Sequence, residues 1–260
     1  MLRPRVIPCL LIHQGGLVKT QKFTSPKYVG DPINAVKIFN EKESDELMIL
    51  DIDASINGAE PNYELIAKLA AECRMPLCYG GGIKTSQQAA KIIDLGVEKI
   101  ALSSAAIDNP KLLQDISSEI GRQSVVVVID VKKKNNFFSK GYQVVTLNGR
   151  KTISGDLYEL VAKLENSGAG ELVINSIDLD GMMNGYDIPL AKKIKGLVGI
   201  PTTFLGGAGS YEHISDLISE CGVVGAAAGS LFVFKGKYRA VLISYPSKEK
   251  KMSFSNYLDN

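Results

Sequence analysis

The segment Glu46-Leu-Met-Ile-Leu-Asp-Ile-Asp53 has a counterpart 125 residues further on, Glu171-Leu-Val-Ile-Asn-Ser-Ile-Asp178. At the same offset, Met75-Pro-Leu-Cys-Tyr-Gly-Gly-Gly82 matches Ile200-Pro-Thr-Thr-Phe-Leu-Gly-Gly207. Each segment is a short apolar run that ends on acidic residues or glycines. That is the pattern of a strand buried on both faces and followed by a loop. Coincidence between similar βα units is the plain alternative, but two matches at one offset favour a chain of two related halves.

Outward from these segments, apolar runs alternate with amphipathic ones. Strands are expected at Arg5–Ile12, Glu46–Ile52, Pro76–Tyr79, Lys99–Leu102, Ser124–Asp130, Glu171–Asn175, Pro201–Leu205 and Val223–Ala227. Helices are expected at Asp31–Asn40, Asn62–Cys73, Ser86–Leu95, Asn109–Ile120, Gly155–Ser167, Ile188–Ile194 and Tyr211–Glu220. Eight such units predict a single (β/α)₈ TIM barrel over residues 1–245, with an internal (β/α)₄ half-repeat. An open doubly wound sheet is the structural alternative, but no G-x-G-x-x-G follows the first strand. Lys132–Lys151, with its Asn148-Gly149, reads as a hairpin excursion after strand five. Residues 246–260 are rich in Lys and Ser and read as a loosely held C-terminal tail.

The bulk numbers narrow the function classes. Of the 260 residues, 45% are hydrophobic and 22% charged, a soluble globular balance, and the net charge of +2 gives no reason to expect nucleic acid as a partner. No apolar run is long enough to span a membrane, and Met1–Lys19 lacks a signal-peptide layout, so the expected location is cytoplasmic. Cys9, Cys73, Cys78 and Cys221 form no C-x-x-C pair and are expected as buried or half-buried thiols. His13 and His213 make no metal or triad motif. No metal and no cofactor are implied.

Two loop sets have the chemistry of phosphate sites. Gly80-Gly81-Gly82 follows strand three and Ser103-Ser104 follows strand four; Gly206-Gly207 and Gly229-Ser230 follow strands seven and eight. A phosphate needs exposed backbone N–H groups and close approach, which glycine allows. In barrels the loops after strands seven and eight often hold one. Tight turns alone are the plainer alternative for these glycines. A side chain placed at Gly207 is expected to intrude on the anion. Two such sites facing one mouth imply a ligand with a phosphate at each end.

Together, Arg5-Val-Ile-Pro-Cys-Leu10, Gly30-Asp31-Pro32, Asp45-Glu-Leu47, Leu50-Asp-Ile-Asp-Ala-Ser55, Gly80-Gly-Gly-Ile83, Val128-Ile-Asp130, Ser176-Ile-Asp-Leu-Asp-Gly181, Gly185-Tyr-Asp187 and Gly206-Gly-Ala-Gly209 resemble the cyclase subunit of imidazole glycerol phosphate synthase. The resemblance runs from Met1 to Phe234. It implies a lyase-family barrel that takes ammonia from a glutaminase subunit docked on its N-terminal face, as a heterodimer, and cyclises a doubly phosphorylated precursor of histidine. The chain has no G-x-C-x-G elbow of its own for glutamine hydrolysis.

The family's chemistry uses two aspartates. Asp130 matches the one at the end of strand five. The first falls on Leu11, which is also the pseudo-symmetric mate of Asp130. Gln14 and Gly16 depart from the family's Asp and Arg, Ser103 from its Asn and Met182 from its Thr, while Lys19 is kept. Leucine can neither give nor take a proton, so cyclisation is in doubt unless Asp51 or Asp180 substitutes. Lys19, Asp51 and Asp180 are assigned to the mouth. Arg5, Glu46, Lys99 and Glu171, at strand starts, match the family's ring of charges where ammonia enters; a solvated rim is the alternative.

Leu11 and the ending Gly229–Ile243 resemble more closely still a subgroup encoded with surface-polysaccharide genes, which pairs with a glutaminase and a sugar amidotransferase that builds acetamidino sugars. The expected function is therefore glutamine-dependent amidation of a sugar. The alternatives are an active histidine cyclase, a sugar-phosphate isomerase of the related barrels, and a scaffold that only activates its glutaminase.

Overall fold

A computed structural model describes residues 3–134 and 141–255. Eight parallel strands close on themselves: β1 (Arg5–His13), β2 (Leu47–Asp51), β3 (Leu77–Gly80), β4 (Lys99–Leu102), β5 (Val125–Lys133), β6 (Glu171–Ser176), β7 (Thr202–Leu205) and β8 (Gly225–Ala228). Each pairs with the next, and β8 pairs back onto β1 with Arg5 opposite Gly225. Helices α1 (Pro32–Glu41), α2 (Tyr63–Glu72), α3 (Ser86–Asp94), α4 (Pro110–Ile120), α5 (Leu157–Asn166), α6 (Ile188–Lys195) and α7 (Tyr211–Cys221) form the outer layer. This is a (β/α)₈ barrel.

Local chemistry starts the helices. Asp31, Asn62, Thr85, Asp156, Asp187 and Ser210 each cap one by accepting a backbone N–H, and proline stands in the first turn of α1, α4 and α6. The alternation of each strand then sorts side chains into two cores. Val6, Leu10, Ile49, Val127, Ile129 and Leu172 face the helices. Ile7, Cys9, Leu11, Met48, Cys78, Ala101, Val126, Val128, Val173 and Ala227 fill the barrel interior. Cys9 and Cys78 are buried and Cys73 and Cys221 half-buried.

The half-repeat reaches into the loops. β1 continues into an antiparallel hairpin, Gly16–Gln21 and Thr24–Gly30, with Leu11 opposite Val18. β5 does the same with Tyr142–Thr146 and Lys151–Ile153, with Asp130 opposite Val145. The hairpin expected after strand five is thus present, turning at Leu147–Arg150, although residues 135–140 of it lie outside the described residues. The same lock holds both additions: Asp53 Oδ2 accepts from Gln14 N and Asp178 Oδ2 from Lys133 N, each at 2.7 Å.

The expectation of a loose tail does not hold for its first part. Lys248–Ser255 forms a helix, α8, with Phe254 buried against Tyr211. Lys251 Nζ meets Asp45 Oδ1 at 2.6 Å, while Asp45 Oδ2 accepts from Val6 N at 3.0 Å. Tyr245 Oη donates to Val6 O at 2.8 Å and accepts from Asp45 N at 2.9 Å. Residues 256–260 lie outside the described residues. No described helix is long and apolar enough to cross a membrane.

Candidate functional site

One cavity opens at the C-terminal end of the strands. Its lining brings together Leu11, Lys19, Asp51, Gly81, Gly82, Ser103, Ser104, Asp130, Asp180, Gly206, Gly207, Gly229 and Ser230. It also includes residues that sequence reasoning missed, chiefly Thr20, Asn148 and Asn175.

Asp130 is buried, and Asn175 Nδ2 donates to its Oδ1 at 2.8 Å. Burial pushes the Asp130 carboxyl up, to about 7; the Asn175 hydrogen bond favours the ionised form but does not offset it, and nearby Asp180 adds to the rise. Asp130 and Asn175 are register partners across β5 and β6. Their mates at the half-repeat offsets are Leu11 and Leu50, register partners across β1 and β2. The two halves therefore present opposite chemistry to one cavity, an acid–amide pair on one side and two leucines on the other.

The other polar groups are held firmly. Lys19, buried in the hairpin after β1, donates to Cys9 O at 3.2 Å. Asp180 Oδ2 accepts from Thr20 Oγ1 at 2.7 Å and from Phe23 N at 3.3 Å, which ties the loop after β6 to that hairpin. Burial raises the Asp51 carboxyl above its usual range, although its Oδ1 accepts from Asp53 N at 2.9 Å and Ala54 N at 3.0 Å.

The glycines serve close packing of loop on loop. A Cβ at Gly81 would lie 2.6 Å from Asp51 O, and one at Gly206 2.6 Å from Ser176 O, both at positive φ and at matching places in the halves. A Cβ at Gly207 would run into Gly185 O, whose own N–H donates to Gly207 O at 2.8 Å. The expectation that it would point at an anion is therefore corrected: it points into the neighbouring loop, and what Gly207 turns to the cavity is backbone. Short helices Ser104–Asp108 and Ser230–Val233 start at the rim, and Arg239 Nη2 stands 3.4 Å from Ser230 Oγ.

At the opposite end, Arg5, Glu46, Lys99 and Glu171 form a closed ring. Arg5 pairs with Glu46 and, at 2.7 Å, with Glu171; Lys99 Nζ lies 3.0 Å from each carboxylate. Thr203 Oγ1 donates to Glu171 Oε1 at 2.6 Å, in space that a side chain at Gly225 would fill. Burial opposes ionisation of Glu171, but Arg5 and Lys99 outweigh it and hold the carboxyl well below the usual carboxylate range. Along β1 the inward row runs Arg5, Ile7, Cys9, Leu11, roughly 20 Å from ring to cavity at the usual strand rise. The interior between ring and cavity is apolar.

Fold and site thus define a class: a (β/α)₈ barrel of two matching halves, with a charged ring closing one end and a cavity of glycine loops and buried acids at the other. The chain belongs to the histidine biosynthesis protein family, whose model matches residues 5–239, and within it to the cyclase-subunit family of imidazole glycerol phosphate synthase. It is 57% identical over 251 residues, 96% of each chain, to a Vibrio vulnificus protein named "Putative imidazole glycerol phosphate synthase subunit hisF3". It is also 57% identical to a Leptospira borgpetersenii protein named likewise as a HisF subunit, over 96% of this chain and 98% of that one. The imidazole glycerol phosphate synthase subunit HisF of Exiguobacterium sibiricum is 37% identical over 232 residues, 89% of this chain and 91% of that one.

Proposed function

We propose that this barrel receives ammonia from a glutaminase docked on the ring end and supports glutamine-dependent amidation of a sugar in surface-polysaccharide synthesis. The observation that carries the proposal is the pairing of an intact ring and apolar interior with a site whose first acid is a leucine. The route for ammonia is kept while half of the cyclisation machinery is absent. Ammonia is small and neutral, so an apolar interior lets it pass while excluding the water that would protonate it. The four ring charges neutralise one another and close the entrance. The sugar as acceptor rests on the resemblance of Leu11 and Gly229–Ile243 to the polysaccharide-linked subgroup. A sugar amidotransferase is the partner that would use the ammonia.

Deleting the gene is the direct test. The expected strain still grows without histidine, but its purified polysaccharide lacks acetamidino groups by NMR. A Lys99→Met allele restores them only in part while glutamine consumption continues, because the two ring carboxylates then share one cation. Histidine auxotrophy with intact polysaccharide would support the cyclase alternative and overturn this reading.

The cavity binds a phosphorylated ligand on the same proposal, with Gly81, Gly82, Ser103 and Ser104 at one end and Gly206, Gly207, Gly229 and Ser230 at the other. Because the glycine side-chain directions lead into neighbouring loops, the informative substitution is at a serine. Ser230→Glu places a fixed carboxylate at the rim and is expected to weaken inorganic phosphate binding at least ~10-fold, read by ³¹P NMR, since like charges in a partly buried site repel strongly. Unchanged binding in a folded variant would place the anion elsewhere.

A further inference from the structure

We propose that Arg239, on a hairpin outside the eight barrel units, is a positioning residue for a phosphate group held by the loops after β7 and β8. It donates to the Ser230 hydroxyl oxygen and so leaves the hydroxyl proton for the anion. The inference rests on the phosphate-binding reading above and deepens it with a residue that stands behind the cavity wall rather than on it.

Downstream of Ser230 the chain turns back on itself: Phe234 pairs with Val241 and Lys235 with Ala240 in a short antiparallel hairpin. Arg239 closes its turn, its N–H donating to Gly236 O at 3.0 Å. The φ of Arg239 is 50°, in the left-handed region that favours glycine or asparagine. An arginine placed there against its backbone preference points to a role for the side chain. The guanidinium lies over the buried Phe234 ring, 4.7 Å from its centroid. From the hairpin after β1, Lys27 Nζ donates to Arg239 O at 3.0 Å and fastens the turn from the other side.

Held in this way, Nη2 reaches back 3.4 Å to Ser230 Oγ, after β8, and 3.4 Å to Gly181 O, after β6. Nε is buried without an acceptor, and no carboxylate among the described residues pairs with the guanidinium. A cation whose donors are so poorly matched gains when an anion arrives beside it. Ser230 is 5% exposed and lines the cavity. Its oxygen receives the Arg239 N–H, and its own proton has no acceptor among the described residues. A phosphate oxygen in the cavity would take that proton's hydrogen bond and complete a chain from guanidinium through hydroxyl to anion. Lys19 adds charge from the opposite side: a Cβ at Gly229 would run into its Nζ, so the two cations flank Gly229-Ser230. The nearby acid, Asp180, is turned to Thr20 and Phe23.

The test reads inorganic phosphate binding to the full chain by ³¹P NMR. Arg239→Met is expected to weaken it about tenfold, the scale of one charge-assisted hydrogen bond. Lys237→Met removes an exposed charge from the same turn and should change it less than about twofold. In a Ser230→Ala background the effect of Arg239→Met should fall below about threefold, because the serine that relays it is gone. Unchanged binding in folded Arg239→Met overturns the proposal. So does an equal loss in Lys237→Met, or an undiminished effect of Arg239→Met without the serine. One reading needs no variant to fold: the Arg239 Nε–H resonance of the wild type should move with phosphate and not with chloride at equal ionic strength. A resonance that stays in place also overturns the proposal. The phosphate-binding reading is judged separately. Weakening by Ser230→Glu with Arg239→Met unaffected leaves that reading standing and removes this one, and a wild type that binds no phosphate removes both.

Discussion

Given free ammonia and the doubly phosphorylated nucleotide precursor, the purified chain is expected to form imidazole glycerol phosphate ~10²–10⁴-fold more slowly than a cyclase subunit with both aspartates, the usual cost of losing one positioned acid/base group. Leu11 packs with Cys9, Val18 and Leu50 on the wall of the cavity, and among the described residues the two other acids lining it, Asp51 and Asp180, are each oriented by hydrogen bonds to one carboxylate oxygen. Asp51 is engaged by two backbone N–H groups, and Asp180 is engaged by Thr20 and Phe23. Leu11→Asp should raise the rate. Complementation of a strain lacking the histidine cyclase by the wild-type gene would show that a single acid suffices.

The second large effect concerns stability. Asp130→Asn is expected to stabilise the protein at pH 8 and to change it little at pH 4. The folded Asp130 carboxyl titrates near 7, against an ordinary value of 3.8, because burial disfavours its charge. Between those values the folded chain keeps a proton that the unfolded chain has released. Stability therefore falls as pH rises through this window and levels off above it. The full penalty is on the order of 4 kcal/mol, and each kcal/mol is worth about 2–4 °C in a chain of this size. The amide still accepts from Asn175 and has no charge to desolvate. Thermal melts at the two pH values decide it. A lower Tm at pH 8 would mean that water reaches Asp130 and relieves its burial.

How far the sequence carried the reading depended on the physics of each part. β1, β2, β5 and β6 were legible because strands buried on both faces become short continuous apolar runs, while β3, β7 and β8, as Leu-Cys-Tyr-Gly, Thr-Thr-Phe-Leu and Gly-Ala-Ala-Ala, were found from the glycine loops that follow them and from the half-repeat. The amphipathic helices between them were equally legible. α8 was not: Lys-Glu-Lys-Lys-Met-Ser-Phe-Ser has no apolar period, and Phe254 and Lys251 hold it only through partners far away in sequence. The hairpin Gly16–Gly30 was missed because it is largely polar and exposed along Thr24–Tyr28. Of the candidate site, the acids, glycines and ring charges could be found because the two halves and the family resemblance mark them. Asn175 could not, since its meaning depends on the register of β5 against β6. The available signal was its place as mate of Leu50, an amide where the other half has a hydrocarbon.

Asp45 has a consequence of another kind. One carboxylate holds the backbone of Val6 with one oxygen and the side chain of Lys251 with the other. The beginning and the end of the described polypeptide are thus stitched to the same residue on the ring face. Topologically the molecule is a bracelet closed by the ladder of β8 onto β1, and Asp45 is a second fastening beside that closure. The neighbour relations of its eight units are set all the way round by the ladder, β8 onto β1 included, and not by which unit leaves the ribosome first.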